Sequence, residues 1–508
     1  MYRNPVIRGF HPDPSVCRVG SDFYLVTSSC EYFPGLPVFH STDLVSWTRI
    51  GHCLSRSDQV DLSKAPTSGG IWAPTIRHHD GVFYVITTVM NEAHFTNELD
   101  DDDHFDVPGM TGRHFLVTAT DPAGPWSDPV WVDGDGLDPS LLFDDGRVLL
   151  TYADAGVVMQ CELDVTTGAH LSQPRAVWTG TSEVTSEGPH LYRVGDYYML
   201  VAEGGTSYGH SVAVARSSSP WGPWEDHPSN PVLSHRTANG HPLQAAGHGD
   251  LVEDADGQWW LVFLAIRSRG WPAFHVLGRE TCLAPVRWQD GWPFVDGPVG
   301  LEVEGGPPHQ QRPPASWRDA FTGPEPAGHW NTVRVPDPAV SFSDGRLTLR
   351  PSTGELGDAS RAFVGTRQVE VECVAQAQLL FRPAADGDEA GLTVRMDDRH
   401  HYDVGVVQLD GTPVVRLRRR IGSLVGDSAP VPVPDGPVTL RVTATAWMYS
   451  FWVVGVDGAP DTLVGKGEAF YLSTEVAGGF TGVFIGPYAV GRGEADVCWF
   501  ELAEGTSA

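Results

Sequence analysis

Basic residues are scarce: 34 Lys and Arg stand against 64 Asp and Glu in 508 residues, a formal charge of −30 at pH 7. Such a surface repels phosphate backbones, which argues against nucleic acid as a partner; a neutral ligand would be indifferent to it. No apolar run is long enough to span a membrane. The start, Met1-Tyr2-Arg3-Asn4-Pro5, lacks an apolar signal core, so a cytoplasmic protein with no membrane partner is expected. The seven cysteines (17, 30, 53, 161, 282, 373 and 498) are odd in number and scattered without a Cys-x-x-Cys pair. Neither a disulfide framework nor a zinc cluster is indicated. Helix-period patterns are missing from the first three hundred residues.

What is present is apolar content sufficient for a core (41% hydrophobic, 10% aromatic), with 57 Gly and 40 Pro. That balance favours many short strands joined by tight turns. The length implies two or three domains.

A repeat runs through the first part of the chain at a spacing of roughly 50 to 65 residues, near the period of propeller blades. Each copy opens with a polar or Pro-containing turn and an apolar pair, then a charged turn, then an aromatic-rich strand. The openings are Asp13-Pro14-Ser15-Val16, Ala73-Pro74-Thr75-Ile76, Asp138-Pro139-Ser140-Leu141, Gly188-Pro189-His190-Leu191 and His248-Gly249-Asp250-Leu251. Five copies of a four-strand unit predict a five-bladed β-propeller over residues 1–300, its first strands lining a channel. A Gly- and Pro-rich linker is expected over 301–317, and a β-sandwich of the two-sheet, concanavalin-like kind over 318–508. The whole is all-β.

Superposing the copies puts Asp13, Ala73, Asp138, Gly188 and His248 at equivalent places, with Glu187 one residue before Gly188. In a propeller those places meet at one mouth of the channel, so Asp13, Asp138 and Glu187 should converge there. Asp-Pro is also a common turn dipeptide and an Asp at a strand entrance often only caps backbone N–H groups; either acid alone would be read so. Gathered carboxylates raise one another's pKa, which lets one stay protonated while another is ionised. Glycoside hydrolysis needs that division. A non-catalytic sugar-binding propeller would not need the acids, and a retaining hydrolase would use the first-blade acid as nucleophile.

These motifs resemble those of glycoside hydrolase family 43, the β-xylosidase and α-L-arabinofuranosidase family. The likeness is carried by Gly9-Phe10-His11-Pro12-Asp13-Pro14-Ser15, Gly69-Gly70-Ile71-Trp72-Ala73-Pro74, Asp138-Pro139-Ser140-Leu141, Ser186-Glu187-Gly188-Pro189-His190, Gly247-His248-Gly249-Asp250 and Leu277-Gly278-Arg279-Glu280-Thr281, in that order. The resemblance implies an inverting, exo-acting enzyme on xylo- or arabinoxylo-oligosaccharides, with Asp13 as general base, Glu187 as general acid and Asp138 tuning and orienting the acid. The β-xyloside is the favoured substrate, the α-L-arabinofuranoside close behind. It also implies substrate contacts from Phe33, Trp72, His248 and Arg279, the last alternatively a surface partner of Glu280. Phe480, in Gly478-Gly479-Phe480-Thr481-Gly482, is the candidate to wall off the pocket from the sandwich domain. No cofactor is required; a structural cation in the channel near His248 is the one ion the resemblance leaves room for, and self-association is left open. The acidic stretch Glu98–Asp106 lacks the Gly and ligand spacing of an EF-hand loop and reads as solvated.

Overall fold

A computed structural model describes residues 1–91, 112–181, 186–205, 207–306, 316–323, 328–334, 339–343, 345–351, 362–433 and 436–505. The acidic stretch 98–106 lies outside them. By internal contacts the chain forms two compact units. Among described residues the first holds 1–91, 112–269 and 279–306; the second holds 270–278 and the residues from 316 onward. Both are built of β-strands.

The first unit is a succession of antiparallel meanders. One sheet joins Ser15–Val19, Asp22–Val26, Gly35–Ser41 and Thr48–Leu54. Another is built on Ser186–Val194, Tyr197–Gly204 and Ser211–Ser217, and a third runs from Leu243–Glu253 through Trp259–Arg267 and Glu280–Gln289 to Trp292–Val295. The second and third sequence copies share one seven-stranded sheet. They are fused by the strand Val130–Asp144, whose first half pairs with Gly112–Ala119 and whose second half pairs with Arg147–Asp154.

The opening strands of successive copies lie side by side: Ser15–Val19 against Gly70–His79, then Val130–Asp144, Ser186–Val194 and Leu243–Glu253, which returns to Ser15–Val19. Strands packed on both faces must be apolar on both faces. Accordingly Val26, Val38, Ile71, Ile76, Val85 and Phe115 are buried together from the first two copies, and Met199, Val201, Val214, Leu261, Phe263 and Ala284 from the last two. The first and last copies also share a core, Val16, Phe23 and Leu25 with Trp260, Val262 and Leu283.

The N-terminus fastens onto the last copy. Leu283 N–H donates to Asn4 Oδ1 (2.9 Å), Asn4 Nδ2 donates to Leu283 O (3.0 Å), and Tyr2–Arg3 pairs with Glu302–Val303. The first residues of the expected linker thus belong to a ladder of the first unit.

A regular irregularity marks the five opening strands. Asp13, Ala73, Asp138, Gly188 and His248 all have left-handed backbone, with φ of 52°, 35°, 52°, 55° and 47°. In copies two to five the ladder register shifts across this residue. A bulge of this kind re-aims a side chain away from the alternation of the strand. Left-handed backbone costs an L-residue roughly 1–2 kcal/mol, which packing around the bulge must offset in four of the five copies.

The second unit is a two-sheet sandwich. One sheet is ordered around Cys373–Arg382, Val438–Ala444 and Glu494–Glu504, the other around Glu389–Arg395, His400–Leu409, Thr412–Ile421 and Phe484–Val490. Alternating residues such as Ala375, Ala377, Leu440, Val442, Leu392, Val394, Val404 and Leu417 fill the space between them.

Candidate active site

The three sequence-predicted acids come together. The Arg279 guanidinium donates from Nη1 to Asp13 Oδ1 (3.0 Å), and the Ser28 hydroxyl donates to Asp13 Oδ2 (2.6 Å). Ser28 Oγ in turn accepts from the Ala73 backbone N–H (2.6 Å), tying the first opening turn to the second. Asp138 Oδ2 accepts from the Gly188 N–H (3.0 Å), which ties the third to the fourth. The bulge residues therefore hold one another.

Burial is the main force raising the Asp138 carboxyl to about 7; His248 opposes it, while Glu203 and Asp13 add to it. Glu187 is raised to about 8, again chiefly by burial, then by Glu203 and Asp138, against His248 and Arg279. The acids thus sense one another through the cluster. This shift favours the protonated carboxyl of Glu187, while Asp13 is paired to Arg279.

The fourth copy departs from the first and third for a steric reason. A Cβ at Gly188 would stand 3.0 Å from His248 Nδ1 and 3.4 Å from Glu203 Cγ. The left-handed position there must be bare, and the acid comes one residue earlier. Glu203 and His210, which sequence reasoning missed, complete the cluster. Glu203 Oε1 lies 3.2 Å from His248 Nδ1, and Oε2 lies 3.5 Å from His210 Nε2. Burial pushes His248 down, but Glu203, Asp13 and Asp138 more than reverse this and raise it to about 10. Burial raises Glu203, and the two histidines overcome it, lowering the carboxyl to about 2. The visible signal was an acid ending the apolar run Met199-Leu200-Val201-Ala202.

Asp138, Glu203 and His248 offer one ligand atom each within 4.8 Å of one another, the one such grouping among the described residues. His248 Nδ1 already faces Glu203, and Arg279 adds a further positive charge to the cluster. The set is a charge-matched network, and no metal ligands are assigned to it.

Two residues along each opening strand lies a second layer: Ser15, Thr75, Ser140, His190 and Asp250, all polar and all buried. Asp250 accepts from Ser15 Oγ (2.6 Å), from Val16 N (3.0 Å), from both terminal nitrogens of Arg77 (2.9 and 3.2 Å), and from the Tyr192 hydroxyl. Arg77 Nη2 lies 3.1 Å from His190 Nδ1. This buried ion pair cross-links four copies beneath the acids.

Of the other predicted residues, Trp72 is half-buried next to Ala73, its indole N–H donating to Ser68 O (2.8 Å). Phe33 is half-buried on the short strand Tyr32–Phe33. Glu280 is clamped by Arg267 at 2.7 and 2.8 Å and accepts from Gly9 N–H, while Arg279 reaches Asp13. Phe480 is half-buried in the second unit, after left-handed Gly478 and Gly479. Val483 N–H donates to Val276 O (2.8 Å) in the same unit.

A buried carboxyl whose surroundings favour its protonated form, grouped with further acids on an all-β unit followed by a sandwich, fits the glycoside hydrolase class. Residues 2–293 match the description "Glycosyl hydrolases family 43", and residues 318–503 match "Beta xylosidase C-terminal Concanavalin A-like domain". The chain is 43% identical, over 99% of its length and 94% of the relative's, to a non-reducing end α-L-arabinofuranosidase of Bacteroides ovatus. It is 34% identical to a putative β-xylosidase of Escherichia coli, with 95% of each covered. Among solved structures, a xylan β-1,4-xylosidase from Bacillus halodurans superposes with a TM-score of 0.90 at 30% identity, covering 99% of this chain and all of that one. The protein belongs to glycoside hydrolase family 43.

Proposed function

We propose that the first unit is a five-bladed β-propeller whose channel mouth is the active site of an inverting exo-glycosidase that releases one terminal pentose. The observation that carries this reading is the meeting of Asp13 and Asp138, at equivalent left-handed turns, with Glu187, one residue before the left-handed Gly188, and with Arg279 on the first of them. The ring of opening strands supports five blades.

In this scheme Asp13, oriented by hydrogen bonds from Arg279 and Ser28, takes a proton from water as the water oxygen attacks the anomeric carbon. The bond to the departing oxygen breaks, and Glu187 gives that oxygen its proton. The acid ends ionised, the base protonated, and the configuration at the anomeric carbon is reversed. Asp138 bonds the Gly188 N–H and adds negative charge beside Glu187, so it both positions the acid and keeps its proton on. No cofactor enters the scheme. Trp72 and Phe33 offer apolar faces to the sugar ring, and His248 a polar one.

Xylo- and arabinoxylo-oligosaccharides are the proposed substrates. The β-xyloside is the expected preference, supported by the named xylosidases among the relatives. The α-L-arabinofuranoside is the second reading, favoured by the Bacteroides ovatus relative. Parallel assay of aryl β-xyloside and aryl α-L-arabinofuranoside, with NMR of the first-formed sugar, tests both points. Cleavage of at least one with inverted product is expected; a first-formed sugar of retained configuration would remove Asp13 as base.

A further inference from the structure

Glu203 is not among the acids of the repeat, yet it stands directly across the ladder from Glu187. The strand Tyr197–Gly204 pairs with Ser186–Val194 so that the Cα of Glu203 is the partner of Glu187. Side chains so paired share a face at about 4.5–5.5 Å between Cβ atoms, and like charges there repel. An ionised pair is therefore unfavourable, which favours a proton on one member.

The surroundings decide which. Glu203 is 5% exposed, lodged between His248 and His210, which come from two other segments. Its space is cleared by glycines: a Cβ at Gly188 would lie 3.4 Å from its Cγ, and one at Gly247 3.3 Å from its Oε2. A buried carboxylate with a histidine cation on it is the stable anion of the two. Glu187 is left with the proton.

We infer that Glu203 is a positioning residue for the reaction: with His248 it forms a fixed anion opposite Glu187 that keeps the proton on the acid until the leaving oxygen takes it. This rests on the reading of Glu187 as general acid. The charged groups around Glu187 are Glu203 from its own ladder, Asp138 from Val130–Asp144, His248 from Leu243–Glu253, and Arg279 just before Glu280–Gln289; Asp13 acts on it through Asp138. Among these charges Glu203 is the strongest acting to hold the proton, ahead of Asp138, with His248 and Arg279 opposing.

Glu203→Gln keeps the shape and can still accept from His248 but removes the anion. The pH dependence of kcat/KM should be measured on whichever aryl glycoside the wild type cleaves, once with a poor leaving group (phenyl) and once with a good one (2,4-dinitrophenyl). On the phenyl glycoside the alkaline limb of Glu203→Gln should move down by about one pH unit, and the loss of rate should be much smaller on the dinitrophenyl glycoside. Glu203→Asp, which retains the charge, should keep its alkaline limb at the wild-type position even if it turns over more slowly. A rate loss in Glu203→Gln that is uniform across pH, with both limbs in place, would mean a merely structural role and overturn the inference. A Glu187→Gln variant that loses equally on both leaving groups would instead overturn the acid assignment beneath it, so the two failures are distinguishable.

Discussion

Arg279 Nη1 meets Asp13 Oδ1 at 3.0 Å, and the two residues are separated by 266 positions in the chain. The pair closes the circle of copies at the level of the chemistry, because Arg279 comes from the last copy and Asp13 from the first. Replacing Arg279 with Met should lower kcat/KM by about 10²–10³, the range for losing one preorganised charged donor. Kinetics on the preferred aryl glycoside, with circular dichroism to verify folding, check this; a loss below tenfold would remove Arg279 from the site.

Glu187→Gln separates protonation from binding. A general acid contributes about 10²–10⁴-fold where the leaving group needs a proton. The variant should lose that much on natural oligosaccharides and far less on a 2,4-dinitrophenyl glycoside. Full activity on oligosaccharides would end the assignment.

The repeat and its acids were legible because the opening strands of successive copies lie side by side, so that residues equivalent in sequence are also neighbours in space. The Gly188 exception was visible as well, as an acid displaced by one position. Glu203, His210 and Ser28 were harder to read because they lie outside the opening strands: Glu203 pairs across the ladder with Glu187, His210 precedes the third strand of that copy, and Ser28 follows the second strand of the first. Cross-strand register and bulges determine which second-strand residue faces which acid, and period-two patterning does not specify them. Arg77 and Asp250 were hidden for a related reason. Asp250 lies two residues and Arg77 four residues past the left-handed position of its own copy, so no single offset in the repeat lines them up, and their pairing follows only from how the opening strands assemble. The fusion of the second and third sheets by Val130–Asp144 was hidden because Asp133-Gly134 and Asp135-Gly136 read as turns where the strand runs on.

The raised Glu187 carboxyl has a consequence for stability as well as rate. Its ordinary value is 4.5 and its folded value about 8. A raised acid favours the folded state fully below the ordinary value, and that contribution is lost as pH rises through the folded value. Wild type should therefore lose stability between about pH 4.5 and 8 relative to Glu187→Gln, which carries no such proton. Thermal melts across that range should show the variant gaining on wild type with rising pH, by about 2–4 °C for each kcal/mol of relief. A constant gap would show that Glu187 is not strained toward its neutral form. The same titration governs activity: the protonated form is the working one, so kcat/KM should fall as pH passes above about 8.

The ion pair beneath the acids is expected to govern folding more than turnover chemistry. Asp250 is fully buried and takes both terminal nitrogens of Arg77, with Ser15, Val16 and Tyr192 completing its shell. Burial raises Asp250, but Arg77 foremost brings it well below the ordinary carboxylate range. Removing one partner leaves the other charge buried and alone, which costs about 3–5 kcal/mol, whereas removing both and filling the space with apolar groups is often near neutral. Arg77→Met and Asp250→Leu should each lower the unfolding midpoint in urea steeply, and the double variant should recover much of the loss. The coupling has to appear in that cycle, since Arg77 and Asp250 come from the second and fifth copies and share no local strand. If the two losses simply added, the pair would be contributing as independent side chains, and the cross-channel tie would not be what holds the copies in register beneath Asp13, Asp138 and Glu187.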